Sequence, residues 1–150
     1  MRYSKEYYLT EILPNLSKEK YVMCGVSALC YLGISHIGLY LPDLLMNHKS
    51  FDGLVIGNKV AYWYSDNIDY EHYVTPMKEA PLVLMPTIER AVVETVKHDL
   101  KFVDEGYFLE SLKDYYLSPC FNELLLREVS EFFEVDYSEV EYWLNECVYS

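Results

Sequence analysis

The stretch from Met85 to Asp99, Met-Pro-Thr-Ile-Glu-Arg-Ala-Val-Val-Glu-Thr-Val-Lys-His-Asp, constrains the fold more than any other. Pro86 lacks a backbone N–H and has a fixed φ, so the extended run Leu82–Met85 cannot continue into a central strand or a helix. Thr87 is placed to cap a new helix by accepting from an orphan backbone N–H. Glu89 falls in the first turn and Lys97 and His98 in the last, each on the end of the helix dipole that suits its charge. Ile88, Ala91, Val92 and Val96 follow the spacing of one apolar helical face. The junction divides a strand-bearing front half from an all-helical, acidic back half.

The 150 residues fit a single domain, 1–150, large enough to bury a core. With 51 % hydrophobic and 16 % aromatic residues, sixteen tyrosines among them, the composition excludes a disordered chain. No apolar run reaches the roughly 18 residues needed to span a bilayer. The start of the chain is charged and tyrosine-rich, unlike a signal peptide. Cys24, Cys30, Cys120 and Cys147 contain no Cys-x-x-Cys pair, and most have apolar neighbours, which predicts reduced, buried thiols. The expected location is the cytoplasm.

Charge is the strongest global signal, with a formal net charge of −12. Residues 101–150 hold twelve Asp and Glu against Lys101, Lys113 and Arg127, while the first hundred residues hold the other twelve acids against nine bases. Phosphate backbones and anionic membrane surfaces demand the opposite sign, so direct binding to either is disfavoured. A protein partner with a basic surface, such as one that itself handles nucleic acid, would be steered toward this half. The plainer alternative is a solvated acidic face.

In chain order, Tyr3–Leu13 reads as a helix with Ser4 as a cap and Pro14-Asn15 as its stop. Ser17 opens a further segment, Tyr21–Cys24 suits a short extended piece, and Val26–Leu32 a short helix stopped by Gly33, with Ser27 capping or facing solvent. Between Ile34 and Met85 lie short runs rich in β-branched and aromatic residues: Ile37–Leu41, Leu54–Ile56, Lys59–Tyr64, Tyr70–Val74 and Leu82–Met85. Gly57-Asn58 is a two-residue hairpin signal, and Leu44–Phe51 suits a helical turn or a loop. Three further helices follow the central one: 104–116, 122–133 and 138–148, the last opening with a Ser138–Glu141 capping box. The expected class is α+β: a small, mainly antiparallel sheet of about four or five strands at about residues 35–85, flanked by N-terminal helices and a C-terminal bundle of about four helices.

No catalytic signature emerges. His36, His48, His72 and His98 are scattered and read as ordinary surface or half-buried histidines, so no metal and no cofactor is expected. Cys24 or Cys30 has no local signature of a nucleophilic pair, and no glycine loop is present to cradle phosphate. Asp66 and Asp69 read as a polar turn rather than a Mg²⁺ site. Glu89 and Arg90 form either a buried pair at the helix start or two solvated charges. Tyr62, Trp63, Tyr64, Tyr70 and Tyr73 crowd two adjacent strands, and without interleaved basic residues they suit a protein interface better than nucleobase stacking.

Two segments carry a family resemblance. Gly25-Val-Ser-Ala-Leu-Cys-Tyr-Leu-Gly-Ile-Ser35 resembles the small-x-Ser-Ala-Leu segment, followed by aromatic-x-Gly-Leu, of AbiEi-type antitoxins. Met85-Pro-Thr-Ile-Glu-Arg-Ala-Val-Val-Glu-Thr-Val96 resembles their Thr-Pro-Glu-Arg-Ala-Leu-Leu-Asp helix start, with the Thr-Pro order inverted. The resemblance spans about residues 21–146. It implies a non-enzymatic antitoxin of the type IV toxin–antitoxin kind, paired with a nucleotidyltransferase-type toxin, in a form lacking the family's N-terminal winged helix. Under it, Ser27, Gly33, Pro86, Thr87, Glu89 and Arg90 are structural residues. The partner-binding candidates are Glu128, Glu131, Glu134, Asp136, Glu139 and Glu141 on the last two helices and the turn between them, with Tyr62 and Tyr64. The alternative is a phage- or mobile-element-encoded inhibitor of a host defence nuclease, an anti-CRISPR or similar, in which spaced carboxylates imitate DNA phosphates. A nucleotidyltransferase-like enzyme lacks support, because Asp66 and Asp69 are three apart and would face opposite sides of a strand. A homodimer remains open.

Overall fold

The computed structural model describes residues 3–16 and 19–149; the start expected at Ser17 lies outside the described residues. Among these the fold is α+β, with one six-stranded sheet and six α-helices. The chain opens on α1 (Lys5–Tyr7), where the Ser4 side chain accepts from the Tyr7 N–H. It continues as a π-helical stretch, Tyr8–Ile12, and a 3-10 turn, Leu13–Asn15, which Pro14 helps to end.

The strands are β1 (Tyr21–Met23), β2 (Asp43–Met46), β3 (Val55–Ile56), β4 (Val60–Tyr64), β5 (Val74–Pro76) and β6 (Val83–Pro86), in the order β3-β4-β2-β1-β6-β5. Pairings β1–β6 and β2–β4 are parallel and the other three antiparallel, so the sheet is mixed and has one strand more than expected. The short extended piece at Tyr21 is its middle. The strand expected at Ile37–Leu41 is irregular, broken by Gly38 at φ +77°, and the pairing is made by β2, in the stretch that suited a turn or loop. Tyr73 at φ +58° likewise delays β5 until Val74. The hairpin loop between β3 and β4 covers three residues, 57–59, closed by the Lys59 N–H on the Ile56 carbonyl. Pro86 does not keep β6 out of the interior: the ladder with β1 stops at Leu84, and Pro86 pairs only with Val74, so its missing N–H falls beyond the parallel ladder.

Alternation gives the sheet two buried faces. Tyr21, Met23, Leu44, Met46, Val60 and Val83 face the main core with the helices. Val22, Cys24, Leu45 and Leu84 face a smaller core closed by Trp63, Ile68, Tyr70 and Phe102. Helix α2 (Gly25–Tyr31) leaves β1 directly, and α3 (Ile88–Lys97) leaves β6 through Thr87, so the two resembling segments lie side by side and their helices pack together. Gly33 ends α2 at φ +78°, with the Ile34 N–H bonded to the Leu29 carbonyl.

Helices α4 (Glu105–Tyr116), α5 (Glu123–Phe132) and α6 (Tyr137–Val148) complete the expected four-helix back half. The caps are Thr87, Asp104, Asn122 and Asp136, each accepting from a first-turn N–H. The Ser138 capping box does not form, because Asp136 already takes the Ser138 N–H and the helix begins at Tyr137. Nor does α3 have a single apolar face: it packs on α2, α5, α6 and β6, so residues 89–96 are all buried. Leu124 (82 % exposed) and Phe132 lie outside the α5 core stripe, which is made by Leu126, Val129 and the adjoining Phe133. No described helix is long and apolar enough to cross a membrane.

Candidate partner-binding site

Arg90 is fully buried, which an arginine tolerates only when every direction of its fork is met. Its Nε donates to Glu94 Oε1 at 2.9 Å, and Nη1 and Nη2 donate to the carbonyls of His72 and Asp69, each at 2.7 Å. The guanidinium lies over the Phe133 ring, 4.9 Å from its centroid. Glu89, one residue earlier, points elsewhere and accepts from the Tyr115 hydroxyl at 2.6 Å. The Tyr115 oxygen accepts from the Asn122 N–H at 3.0 Å and so fixes the start of α5. Glu89 and Arg90 are both buried, but they are not each other's partners; adjacent helical residues diverge, while i, i+4 residues meet. Burial raises the Glu94 carboxyl, against the pull of Arg90.

The 69–73 loop is tied to the same helix. Burial works to raise the Asp69 carboxyl, but the N–H groups of His72 and Glu71 and the His72 ring outweigh it and hold the group low. Asp69 is thus the polar turn expected. Beyond it, the Tyr73 hydroxyl donates to Glu128 Oε2 at 2.8 Å, and the His72 ring packs on Phe132, centroids 4.6 Å apart.

On this framework stand the six candidate acids, all exposed. Glu128 and Glu131 are three apart on α5 and share a side; Glu134, at φ +57°, follows in the turn. The carboxylates of Glu131, Glu134, Glu139 and Glu141 have no hydrogen-bond or ion-pair partner among the described residues. Asp136 differs: it is spent on capping α6, and its bonds to Ser138 lower its carboxyl. Glu139 and Glu141, two apart on a helix, diverge, so the acids form a belt rather than one face. Glu139 borders a groove toward the α3–α4 turn, whereas Glu141 lies toward Arg127 and Tyr137. Arg127 is the one basic residue from Glu123 to Val148, and it is held by Glu123 at 2.9 Å and over the Tyr137 ring at 4.0 Å.

The remaining candidates are not part of this belt. Tyr62 is half-buried between Tyr21 and Phe51, 5.8 Å from each, and burial raises its phenol to about 12. Tyr64, also half-buried, bonds through its N–H to Asp52. Both stand on β4, which packs against β2, β3 and the 49–51 turn, while α5 and α6 pack on α3 and one another. Ser27 neither caps nor faces solvent: its buried hydroxyl donates to the Cys24 carbonyl and accepts from the Asp43 N–H, both at 3.0 Å. The Asp43 carboxylate accepts from Trp63 Nε1 at 2.9 Å, and burial lifts it to about 7. The Cys24 thiol is pushed well up, by burial first and then by Asp43 and Glu94, which suppresses the thiolate a nucleophile needs. No cysteine is in a disulfide; Cys120 alone is exposed. Among the described residues no group of three or more His, Cys, Asp or Glu is placed to hold a metal ion.

Glu94, the partner of Arg90, was legible as an i, i+4 acid in the sequence but was hidden among apolar neighbours. The Asp69, His72 and Tyr73 contacts had no such signal, because they depend on where the 69–73 loop crosses α3. A scan against protein-family models gives no match, and no curated protein matches the chain.

Proposed function

We propose that this protein acts by binding rather than by catalysis, as an AbiEi-like antitoxin domain that neutralises a nucleotidyltransferase-type toxin or another nucleic-acid-handling protein through its acidic helical half. One observation carries the reading. From α5 through α6, Glu128, Glu131, Glu134, Glu139 and Glu141 are exposed, four of them without a partner among the described residues, and the only base on those elements is already held. A basic surface docking there would gain association rate and selectivity from these charges, and affinity from the aromatic side chains set between them. Exposed Phe132 and Tyr142 belong to that set. The helices of the two segments that resemble the antitoxin family, α2 and α3, pack together, and α5 and α6 rest on α3.

The test compares the wild-type chain with a variant in which those five glutamates are glutamines, each immobilised and exposed to lysate at low and moderate salt. A nucleotidyltransferase-type protein held by the wild type, released as salt rises and missing from the variant supports the antitoxin reading. Co-expression should then relieve that protein's toxicity. A defence nuclease captured instead, and displaced by added duplex DNA, would replace it with the inhibitor reading. Equal capture by wild type and variant would leave the belt a solvated surface.

A further inference from the structure

The α3–α4 turn and the start of α6 enclose a groove of about 450 Å³, within the range of roughly 300–1,000 Å³ in which small groups are bound. Asp99, Glu105 and Glu139 place three carboxylates around it. Leu100 and the rings of Tyr142 and Trp143 supply its apolar wall. Trp143 packs roughly perpendicular to Phe108, centroids 5.9 Å apart, and to Tyr142, 5.2 Å apart, and Tyr142 is 54 % exposed. Glu105 and Glu139 lie in the first turns of α4 and α6, where the helix dipole accommodates negative charge, while Asp99 follows the C-terminus of α3, where it does not.

No basic side chain lines the groove, and the three nearest in sequence are engaged elsewhere. Lys97 Nζ lies over the Phe133 ring at 5.4 Å, the His98 ring packs on Phe102 at 5.4 Å, and Lys101 Nζ donates to Asp52 at 2.7 Å. The site therefore presents aromatic faces and carboxylates with the complementary charge missing.

We propose that this groove receives an arginine side chain of the protein partner, a proposal that rests on the binding function given above. A guanidinium is flat and weakly hydrated, so it stacks on an exposed tyrosine or tryptophan face while its edges meet carboxylates in pairs. The stem of the side chain lies along Leu100 and the ring edges. An ammonium satisfies the charge but not the stacking and the paired bonds, which selects arginine over lysine.

The full chain, ¹⁵N-labelled, is titrated with a blocked Gly-Gly-Arg-Gly-Gly peptide and with the same peptide carrying citrulline, an uncharged isostere, or lysine. The Trp143 indole signal is identified with Trp143→Phe. Saturable shifts at Trp143, Tyr142 and Leu100 are expected with the arginine peptide, and binding of the citrulline peptide at least about tenfold weaker. The double variant Glu105→Gln/Glu139→Gln should keep a native spectrum and lose about tenfold in arginine-peptide affinity. Three outcomes overturn the proposal: equal binding of the citrulline or lysine peptide, equal binding of spermidine at the same residues, or no saturable shift at millimolar peptide. Capture that depends on Glu128 and Glu131 but not on Glu105 and Glu139 would sink the groove and leave the acidic-belt function standing. An arginine-selective groove with no acid-dependent capture would overturn the acidic-belt function and the partner's arginine with it, leaving only a site selective for a guanidinium.

Discussion

Arg90 sits in α3 with its charge wholly inside the protein and all of its bonds made to one helix and one loop. Replacing it by methionine leaves Glu94 buried without its cation and two carbonyls without donors. Arg90→Met should therefore lose about 3–5 kcal/mol by urea unfolding, and adding Glu94→Gln should recover part of that, because the second change removes the stranded charge. Asp43 makes a different prediction. Its folded-state carboxyl is lifted to about 7 by burial, above the ordinary aspartate value, so the native state holds this proton more tightly than the unfolded chain. The stability it confers is fully present below about pH 4 and is lost as pH rises to about 7, by at most about 4 kcal/mol. Asp43→Asn keeps an acceptor for Trp63 and removes the titration. Urea midpoints at pH 5 and pH 8 should thus fall in the wild type relative to the variant, and a parallel pair of profiles would refute the assignment. Neither residue's environment was legible from its neighbours in sequence. The sequence leaves Arg90 either buried beside Glu89 or solvated and says nothing of Asp43; what settles both is the 69–73 loop and Trp63 brought over them by the fold.

At the level of elements, what the sequence announces is helix starts and turns, and what it conceals is pairing. Ser4, Thr87, Asn122 and Gly33 do what their local chemistry dictates, since capping and left-handed stops involve only a few consecutive residues. The strands are set by partners far away, so β2 appears where two leucines alternate between two cores, and not in the more strand-like Ile37–Leu41 run. The β1–α2 joint combines both. Gly25 stands at φ +67°, and a Cβ there would lie 2.9 Å from Val103 Cγ1 and 3.3 Å from the Phe102 ring. Gly25→Ala should therefore cost more than the roughly 1–2 kcal/mol of a left-handed alanine alone, because the segment that closes the smaller core must also move. Thermal melts would show it, together with a change in near-ultraviolet signal from Trp63, which packs 6.0 Å from Phe102.

Over the whole molecule, the acidic half expected from composition is the four-helix half of the fold, but its charge is arranged as a belt with a groove rather than as one face. Charge totals are legible without a structure; the direction in which each carboxylate points is not, and Asp136 shows the difference by serving its own helix. The sheet carries a consequence of another kind, for the order of assembly. Its middle strand β1 cannot complete its ladder until Tyr21 meets Val83, whereas α5 and α6 find their partners in α3, α4 and each other, closer along the chain. Closing the long loop between β1 and β6 is the entropic hurdle. Val83→Ala should accordingly slow refolding, while Val140→Ala in α6 should mainly speed unfolding, a contrast that the two arms of a chevron plot report separately. Until that loop closes, β1 can pair with β2 on one side while its other edge stays open, and the time the newly made chain spends exposed to strand-to-strand association is set by the arrival of β6.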